Sequence, residues 1–295
     1  MASAWRTGLA LLRAPTTEVS FVLRKALRWS RGPARLPQED KRDLFAFLPT
    51  DERGAAERLT AELRARYHLD ALAQRSTRTT YLANLALLAN LQRLAAGSPP
   101  PCSEDGCVRA IDVGCGDFHY ATALQRWLAA ATPEREVVLR GIEVDGHGIY
   151  RDGHSRADHA RAHARLAERA GGSVQFQVGD FTRLPLPEQD VVTLLFPFLS
   201  AYASLQWGLP LSRLRPARLV AQAVAVVRPG GWILVVNQTS TEAERMRGML
   251  AGQPVDALAS VPWACSWLPW ADRTLDQVAT LWQKRRTVPT SRRSG

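Results

Sequence analysis

The sequence predicts an α/β protein: a mostly parallel central sheet with helices on both faces and a helical N-terminal extension. Three observations predict it. From residue 107 onward, short apolar runs alternate with amphipathic helical patterns, as in a parallel sheet with crossover helices. The run "DVVTLLFPF" (190–198) is apolar almost throughout, as a strand buried on both faces must be. The first apolar run ends in "DVGCGDF" (112–118), a glycine turn feeding a helix, where sheets of this kind place ligands.

The net charge of +10 is concentrated at the ends. Residues 1–36 carry seven Lys/Arg against one acid, Glu18, and residues 284–295 carry five and none, so the body between is nearly neutral. Only three of the 38 basic residues are lysines (Lys25, Lys41 and Lys284), a bias that a GC-rich genome produces without selection for RNA binding. Charge therefore offers RNA a hold through the basic tails and not through the body. Residues 1–17 contain Arg6 and Arg13 and no acid, as a mitochondrial presequence would. The preferred reading is that "EVSFVLRKALRWS" (18–30) is a basic amphipathic helix that packs on the body or touches a partner. With no apolar run of 18 residues and no secretory h-region, the expectation is a cytoplasmic protein without a membrane span. Four cysteines (Cys102, Cys107, Cys115, Cys265) are too few for a disulfide scaffold. Cys102 and Cys107 lack a second ligand pair for a tetrahedral metal, so reduced thiols are expected.

"RGPARLP" (31–37) closes the basic segment 1–36. A helical cap region follows over 37–97, with helices expected at 51–67 and 76–97. In the second, Leu82, Leu85, Leu88 and Leu91 recur at helical spacing, and Gly97 ends the pattern. "GSPPPCSEDG" (97–106) reads as the linker, spanning 98–106, to a domain at 107–286, with a basic tail at 287–295. Within that domain, strands are expected at 107–114, 136–145, 174–180, 190–198 and 229–238. Helices are expected at 118–132, 157–172 and 212–228. The stretch 276–286 reads as a closing strand or, alternatively, a helix.

The glycine turn carries the chemistry. Gly114 and Gly116 let backbone approach a ligand where a Cβ would collide. The next helix aims its N–H groups and positive dipole end at the same spot. A glycine pair alone is a weak signal. Glu143 at the end of the second strand suits two ribose hydroxyls, and Asp180 at the end of the third suits an adenine amino group. Taken singly, Asp112 reads equally as a turn acid, Glu143 as a surface acid and Asp180 as a helix N-cap. Three successive strand ends in one sheet are the stronger pattern.

In these residues the chain resembles the class I S-adenosylmethionine-dependent methyltransferases. "AIDVGCGDF", "GIEVD", "QVGDF", "DVVTLLF" and "VRPGGWILVV" are similar to successive motifs of that superfamily, over roughly 105–240. The resemblance implies a Rossmann-like class I methyltransferase fold and S-adenosyl-L-methionine as cofactor. Its methionine end would be met by the backbone of the Gly114–Gly116 turn and by Asp112 or Asp117, and its ribose by Glu143. Asp180 and Phe181 would lie beside the adenine, and Phe196 where strand four leads to the reacting methyl. Phe118 stands where a dinucleotide fold needs a third glycine, which counts against a nicotinamide cofactor more than against a methyl donor.

Methyl transfer needs proximity more than an elaborate catalytic set. "FPFLSAYASLQWGLP" (196–210) lacks the Asn/Asp-Pro-Pro-aromatic signature of exocyclic-amine methylation. It offers Phe196, Phe198, Tyr202 and Trp207 as an aromatic substrate wall, or as ordinary core. It also has no acid between Asp190 and Glu242 to hold the cationic acceptor of an aminopropyl transferase. His119, His147 and Tyr202 are the base candidates, with His119 and Tyr202 preferred. His154, His159 and His163 recur at spacings that suggest a metal face. On so arginine-rich a helix they read as solvated surface, and no metal is expected. Trp263, Trp267 and Trp270 would either stack on a substrate or cover a sheet edge. The expectation is a methyltransferase with a small-molecule acceptor. RNA methylation is the runner-up, and a non-catalytic binding or assembly module with the same fold is the alternative from another class.

Overall fold

The computed structural model describes residues 11–95, 98–103, 105–264, 267–268 and 275–286. Arg6, Gly97, Cys265, Trp270 and the basic tail 287–295, all used in the reading above, lie outside the described residues.

The sheet has seven strands in the order β3-β2-β1-β4-β5-β7-β6. These are β1 (Cys107–Val113), β2 (Glu136–Glu143), β3 (Ser173–Val178), β4 (Gln189–Leu195), β5 (Val227–Asn237), β6 (Val255–Pro262) and β7 (Val278–Lys284). The first five are parallel, and β7 inserts antiparallel between β5 and β6. This is the mostly parallel, helix-covered sheet that the resemblance implies, and the stretch 276–286 holds a strand, Val278–Lys284, and not a helix. β1 and β4 sit at its centre, which is why both read as apolar runs. Strand order reverses between them, and a ligand crevice is expected at that place.

Among the described residues, four helices precede the sheet: α1 (Ala14–Leu27), α2 (Thr50–Tyr67), α3 (Asp70–Gln74) and α4 (Arg78–Ala95). Among the strands lie α5 (Ala121–Ala131), α6 (Arg156–Glu168), α7 (Ala201–Gln206), α8 (Pro216–Val226) and α9 (Ser240–Ala251). One apolar cluster runs without a break from Leu63, Leu72 and Leu88 through Leu124 and Trp127 to Leu139 and Leu234. The cap helices therefore share a core with one face of the sheet. A second cluster on the other face joins Ile111, Val192 and Ile233 to α8 and α9. Asn84, fully buried on α4, accepts from the Ala123 N–H and donates to the His119 carbonyl, fastening the cap to the start of α5.

The N-terminal segment is tied down by polar contacts. Arg24 on α1 forms a two-pronged ion pair with Asp145, at 3.1 and 3.2 Å. Asp158, whose side chain also caps α6, accepts from the Ser30 hydroxyl and the Arg31 N–H. Burial alone would raise the Asp158 carboxyl, but these hydrogen bonds outweigh it and hold it at about 2.

Phe118, in the place of the expected third glycine, adopts φ +57°, the left-handed region that glycine favours. For a residue with a Cβ this conformation costs roughly 1–2 kcal/mol. The ring is fully buried, which returns roughly 1.5–3 kcal/mol. Its room comes from Gly141 on β2, where an added Cβ would stand 2.9 Å from both the Phe118 ring and the Cys115 sulfur. The small residue that a close helix–strand approach needs has moved to the facing strand. Gly141→Ala is expected to destabilise the fold by roughly 1–3 kcal/mol through overpacking. Phe118→Leu in the same chain should recover part of that loss. Denaturation midpoints of both variants check it, and a Gly141→Ala protein as stable as wild type would refute the packing account.

Candidate active site

Beyond the carboxyl ends of β1, β2, β3 and β4 lies a cavity of about 780 Å³. Its floor is the turn after β1. Gly114 (φ +74°) and Gly116 (φ +59°) have nothing within 4 Å of where a Cβ would stand, so both face open space. Glu143 closes one side. It is buried, and its two carboxylate oxygens accept from the backbone N–H of Gly116 at 3.0 Å and of Asp145 at 2.9 Å. A carboxylate has about four acceptor positions, so it keeps capacity for a ligand's hydroxyls. Arg156, at the start of α6, lies 3.6 Å from both Glu143 and Asp145 and keeps the two acids compensated.

The turn's own amides are largely committed. The Gly114 and Cys115 N–H groups donate to the Ile142 carbonyl, Gly116 to Glu143, and Ala123 to Asn84. The helix start therefore offers a ligand fewer free amides than its sequence suggests.

Asp112 does not line the cavity. Its carboxylate is fully buried beneath it, accepting from the Thr193 hydroxyl (2.5 Å) and the Tyr120 hydroxyl (2.9 Å). Burial pushes this carboxyl up to about 6, against the two hydrogen bonds that favour its charge. Asp117 and His119 do line the cavity, and they are paired: His119 Nδ1 lies 2.7 Å from Asp117 Oδ1. Burial alone would raise Asp117, but the hydrogen bond with His119 outweighs it and holds the carboxyl below its ordinary value. An ionised carboxylate only accepts, so the imidazole donates from Nδ1 here, and its neutral form has Nε2 as the acceptor.

Asp180 and Phe181 also line the cavity. Asp180 serves as N-cap of the short turn Phe181–Arg183, accepting from the Thr182 N–H and hydroxyl, and its second oxygen lies 3.4 Å from Arg213. Phe196 lines the cavity in the left-handed conformation (φ +57°), with its N–H donating to the Val236 carbonyl. Phe198 and Trp207 share that wall, their ring centroids 6.2 Å apart.

Tyr202 is not part of the wall. It lies on α7, whose Ser204 borders the cavity instead. His147 is also outside the lining. The three spaced histidines separate, and none sits on a solvated face. His163 is buried near His119, where burial lowers it to about 4. His154 and His159 are mostly buried beside the exposed Asp152, the ligand atoms of the three within 4.8 Å of one another. Of the tryptophans, Trp263 lines the cavity, while Trp267 is buried against Phe45.

The sequence reading missed Tyr120, Arg156 and Arg213, and the wall that α4 supplies through Ala83, Ala86 and Leu87. A signal existed for Arg156. "SRAD" (155–158) is a capping box that places it in the first turn of a helix, aimed back at the strand ends.

No family model matches the chain, and no curated protein does. Solved structures of similar shape include a Listeria monocytogenes protein described as a class I S-adenosylmethionine-dependent methyltransferase. It has TM-score 0.47 and 13% identity, over 78% of this chain and 69% of that one. Geranyl diphosphate C-methyltransferase from Streptomyces coelicolor has TM-score 0.45 and 11% identity, over 71% and 84%. N-methyltransferase NodS from Bradyrhizobium japonicum has TM-score 0.44 and 11% identity, over 68% and 95%. Likenesses this distant say nothing about acceptor or reaction.

Asp112 makes a signed pH prediction. Its folded value lies above the unfolded one, so its ionisation weakens the fold as pH rises from about 4 through about 6. In Asp112→Asn that dependence disappears. The stability of the variant relative to wild type should improve between pH 4 and pH 7 by up to about 3 kcal/mol. Denaturant titrations at the two pH values measure it, and an unchanged difference would contradict the buried-acid account.

Proposed function

We propose that this protein is an S-adenosylmethionine-dependent methyltransferase acting on a small, largely apolar acceptor. The observation that carries the reading is the glycine cradle with Glu143 beside it: open room at Gly114 and Gly116, next to a buried carboxylate with spare acceptor capacity. Together with Asp180 and Phe181 at the next strand end, this set suits a nucleoside with a short charged tail. When bound, S-adenosylmethionine supplies an electrophilic methyl group on a sulfonium.

Glu143 would accept from the ribose hydroxyls through its remaining lone pairs. Asp180, already capping a turn, would turn its Arg213-facing oxygen to the adenine amino group. Asp117, held ionised, would meet the ammonium of the methionine end. Gly114 and Gly116 contribute by having no side chain. Phe196, Phe198, Trp207 and Trp263 exclude water from the acceptor side. His119 is the base: Asp117 fixes its Nδ1 proton, and Nε2 takes the acceptor's proton as the nucleophile attacks. Holding nucleophile and methyl in line supplies most of the acceleration, on the order of 7–11 kcal/mol.

The acceptor reading rests on the wall. Ala83, Ala86 and Leu87 from the cap helix, with Leu195 and Leu268, leave a mainly apolar cleft, which suits a small organic molecule better than a polynucleotide strand.

Calorimetric titration of S-adenosylhomocysteine tests the cofactor site. Wild type should bind at micromolar concentration. Gly114→Arg should abolish binding, because a side chain at φ +74° fills the cradle. Glu143→Ala should weaken it at least tenfold, and Glu143→Gln, which keeps one acceptor oxygen, should weaken it less. A well-folded wild type that binds nothing would end this reading and leave the fold as a binding or assembly module.

A further inference from the structure

Exposed apolar side chains are not scattered over this protein. Of the twelve large exposed ones among the described residues, seven lie between Leu11 and Trp29. Three more, Ile149, Tyr150 and Trp207, lie at two loops that the same segment touches. Arg24 donates to the Gly208 carbonyl, beside Trp207, and the Trp29 indole N–H donates to the Gly153 carbonyl, in the loop that carries Ile149 and Tyr150. Tyr150 and Trp207 also line the cavity, so the patch reaches its rim.

α1 is amphipathic in an unusual sense. Its inner face buries Phe21, under the Arg213 guanidinium, and fixes Arg24 on Asp145. Its outer face presents Val19, Val22, Leu23 and Leu27, which fall on one side at helical spacing. Leu12 before the helix and Trp29 after it extend the stripe, with exposures from 49% (Trp29) to 76% (Leu12 and Leu27). A stripe of this kind is unusual on a surface that meets only water. Cations accompany it in the chain. Arg13, Lys25, Arg28 and Arg31 lie in the same segment, where Glu18 is the only acid. Among the described residues, Lys25 and Arg28 form no ion pair. No helix among the described residues is long and apolar enough to cross a membrane. An apolar helical face that ends in tryptophan and shares its segment with exposed cations matches the chemistry of a bilayer interface: acyl chains for the stripe, anionic headgroups for the cations.

We propose that the outer face of α1, with Trp29, Ile149 and Trp207, docks on an anionic lipid bilayer and holds the rim of the cavity at its surface. The helix keeps its inner contacts with the body and lies flat, its outer side chains entering the headgroup–acyl boundary. This proposal stands apart from the methyl-transfer reading, because it rests on the outer face of α1 and not on the glycine cradle.

Co-flotation of the full-length protein tests it, with vesicles of phosphatidylcholine alone and with 30% phosphatidylglycerol. Binding is expected to the anionic vesicles, and to be weaker on the neutral ones and in high salt. Leu23→Asp/Leu27→Asp should reduce the bound fraction at least tenfold. Lys25→Glu/Arg28→Glu should weaken binding roughly tenfold or more on anionic vesicles. All four substituted side chains point away from the core, and unchanged thermal melting verifies the fold. Two results would overturn the proposal. One is failure of the folded wild type to float with either vesicle. The other is a dimer in light scattering that Leu23→Asp/Leu27→Asp dissociates, which would assign the face to a second copy of the chain. S-adenosylhomocysteine titration run in parallel separates the two readings, since flotation without cofactor binding would remove the methyltransferase proposal and leave the docking face standing.

Discussion

The carboxylate of Glu143 is the joint from which the mouth of the cavity hangs. The two left-handed glycines have no side chains to hold the turn, so its shape is held through backbone amides, Gly114 and Cys115 on the Ile142 carbonyl and Gly116 on Glu143. Glu143 takes the Gly116 N–H on one oxygen and the Asp145 N–H on the other, and so fixes the turn after β1 against the loop after β2. A buried carboxylate keeps its charge cheaply only when donors and a cation compensate it, and is otherwise pushed toward its neutral form. Arg156 supplies the cation, and because it also faces Asp145, the two acids share it. Asp145 then has capacity for a second guanidinium, and Arg24 fills that place. A chain of charges thus runs from the glycine turn to the N-terminal helix. The position of α1 over the site follows from the electrostatics of the strand ends as much as from the burial of Phe21.

Asp112 obeys the opposite logic at the same level of the sheet. It has no cation, only two hydroxyl donors, and full burial raises it to about 6. Thr193 belongs to β4 and Tyr120 to the approach to α5, so this acid ties the central strand pair to the helix that follows the turn. It supports the floor of the cavity without lining it. The two acids differ in their surroundings and not in their chemistry: Glu143 meets the cavity with a cation behind it, and Asp112 meets neither.

The strands were legible because a doubly covered parallel sheet forces apolar runs, and β1, β2 and β4 are such runs. The cradle was legible because glycine at left-handed positions is a local requirement. What stayed hidden is what depends on distance along the chain. Arg24 and Asp145 are 121 positions apart, and nothing in either neighbourhood announces the other. Asn84 and Ala123 are joined across 39. β6 was faint for a different reason. As an edge strand with one exposed side it shows few consecutive apolar residues. α9 did carry a signal that was passed over: Thr239 and Glu242 begin it as a capped turn, and Met246 and Leu250 follow at helical spacing. Tyr202 misled because an aromatic after β4 sits near the reaction side of the sheet. The helix there turns Ser204 inward instead, and no local pattern distinguishes the two faces of a six-residue helix.

The same distinction between local and distant information bears on Phe118. A local rule reads a missing glycine as a defect in the turn. The backbone nonetheless takes the left-handed conformation the rule demands, because the ring gains a buried site large enough to offset the strain. That site exists only because Gly141, 23 residues later on another strand, has no side chain. The requirement for a small residue belongs to the contact between turn and strand, and either partner can meet it. A motif that looks broken at one position is therefore intact when the facing position is read with it. In this protein the rearrangement leaves the cavity side of the turn, Gly114 and Gly116, as open as the unbroken motif would.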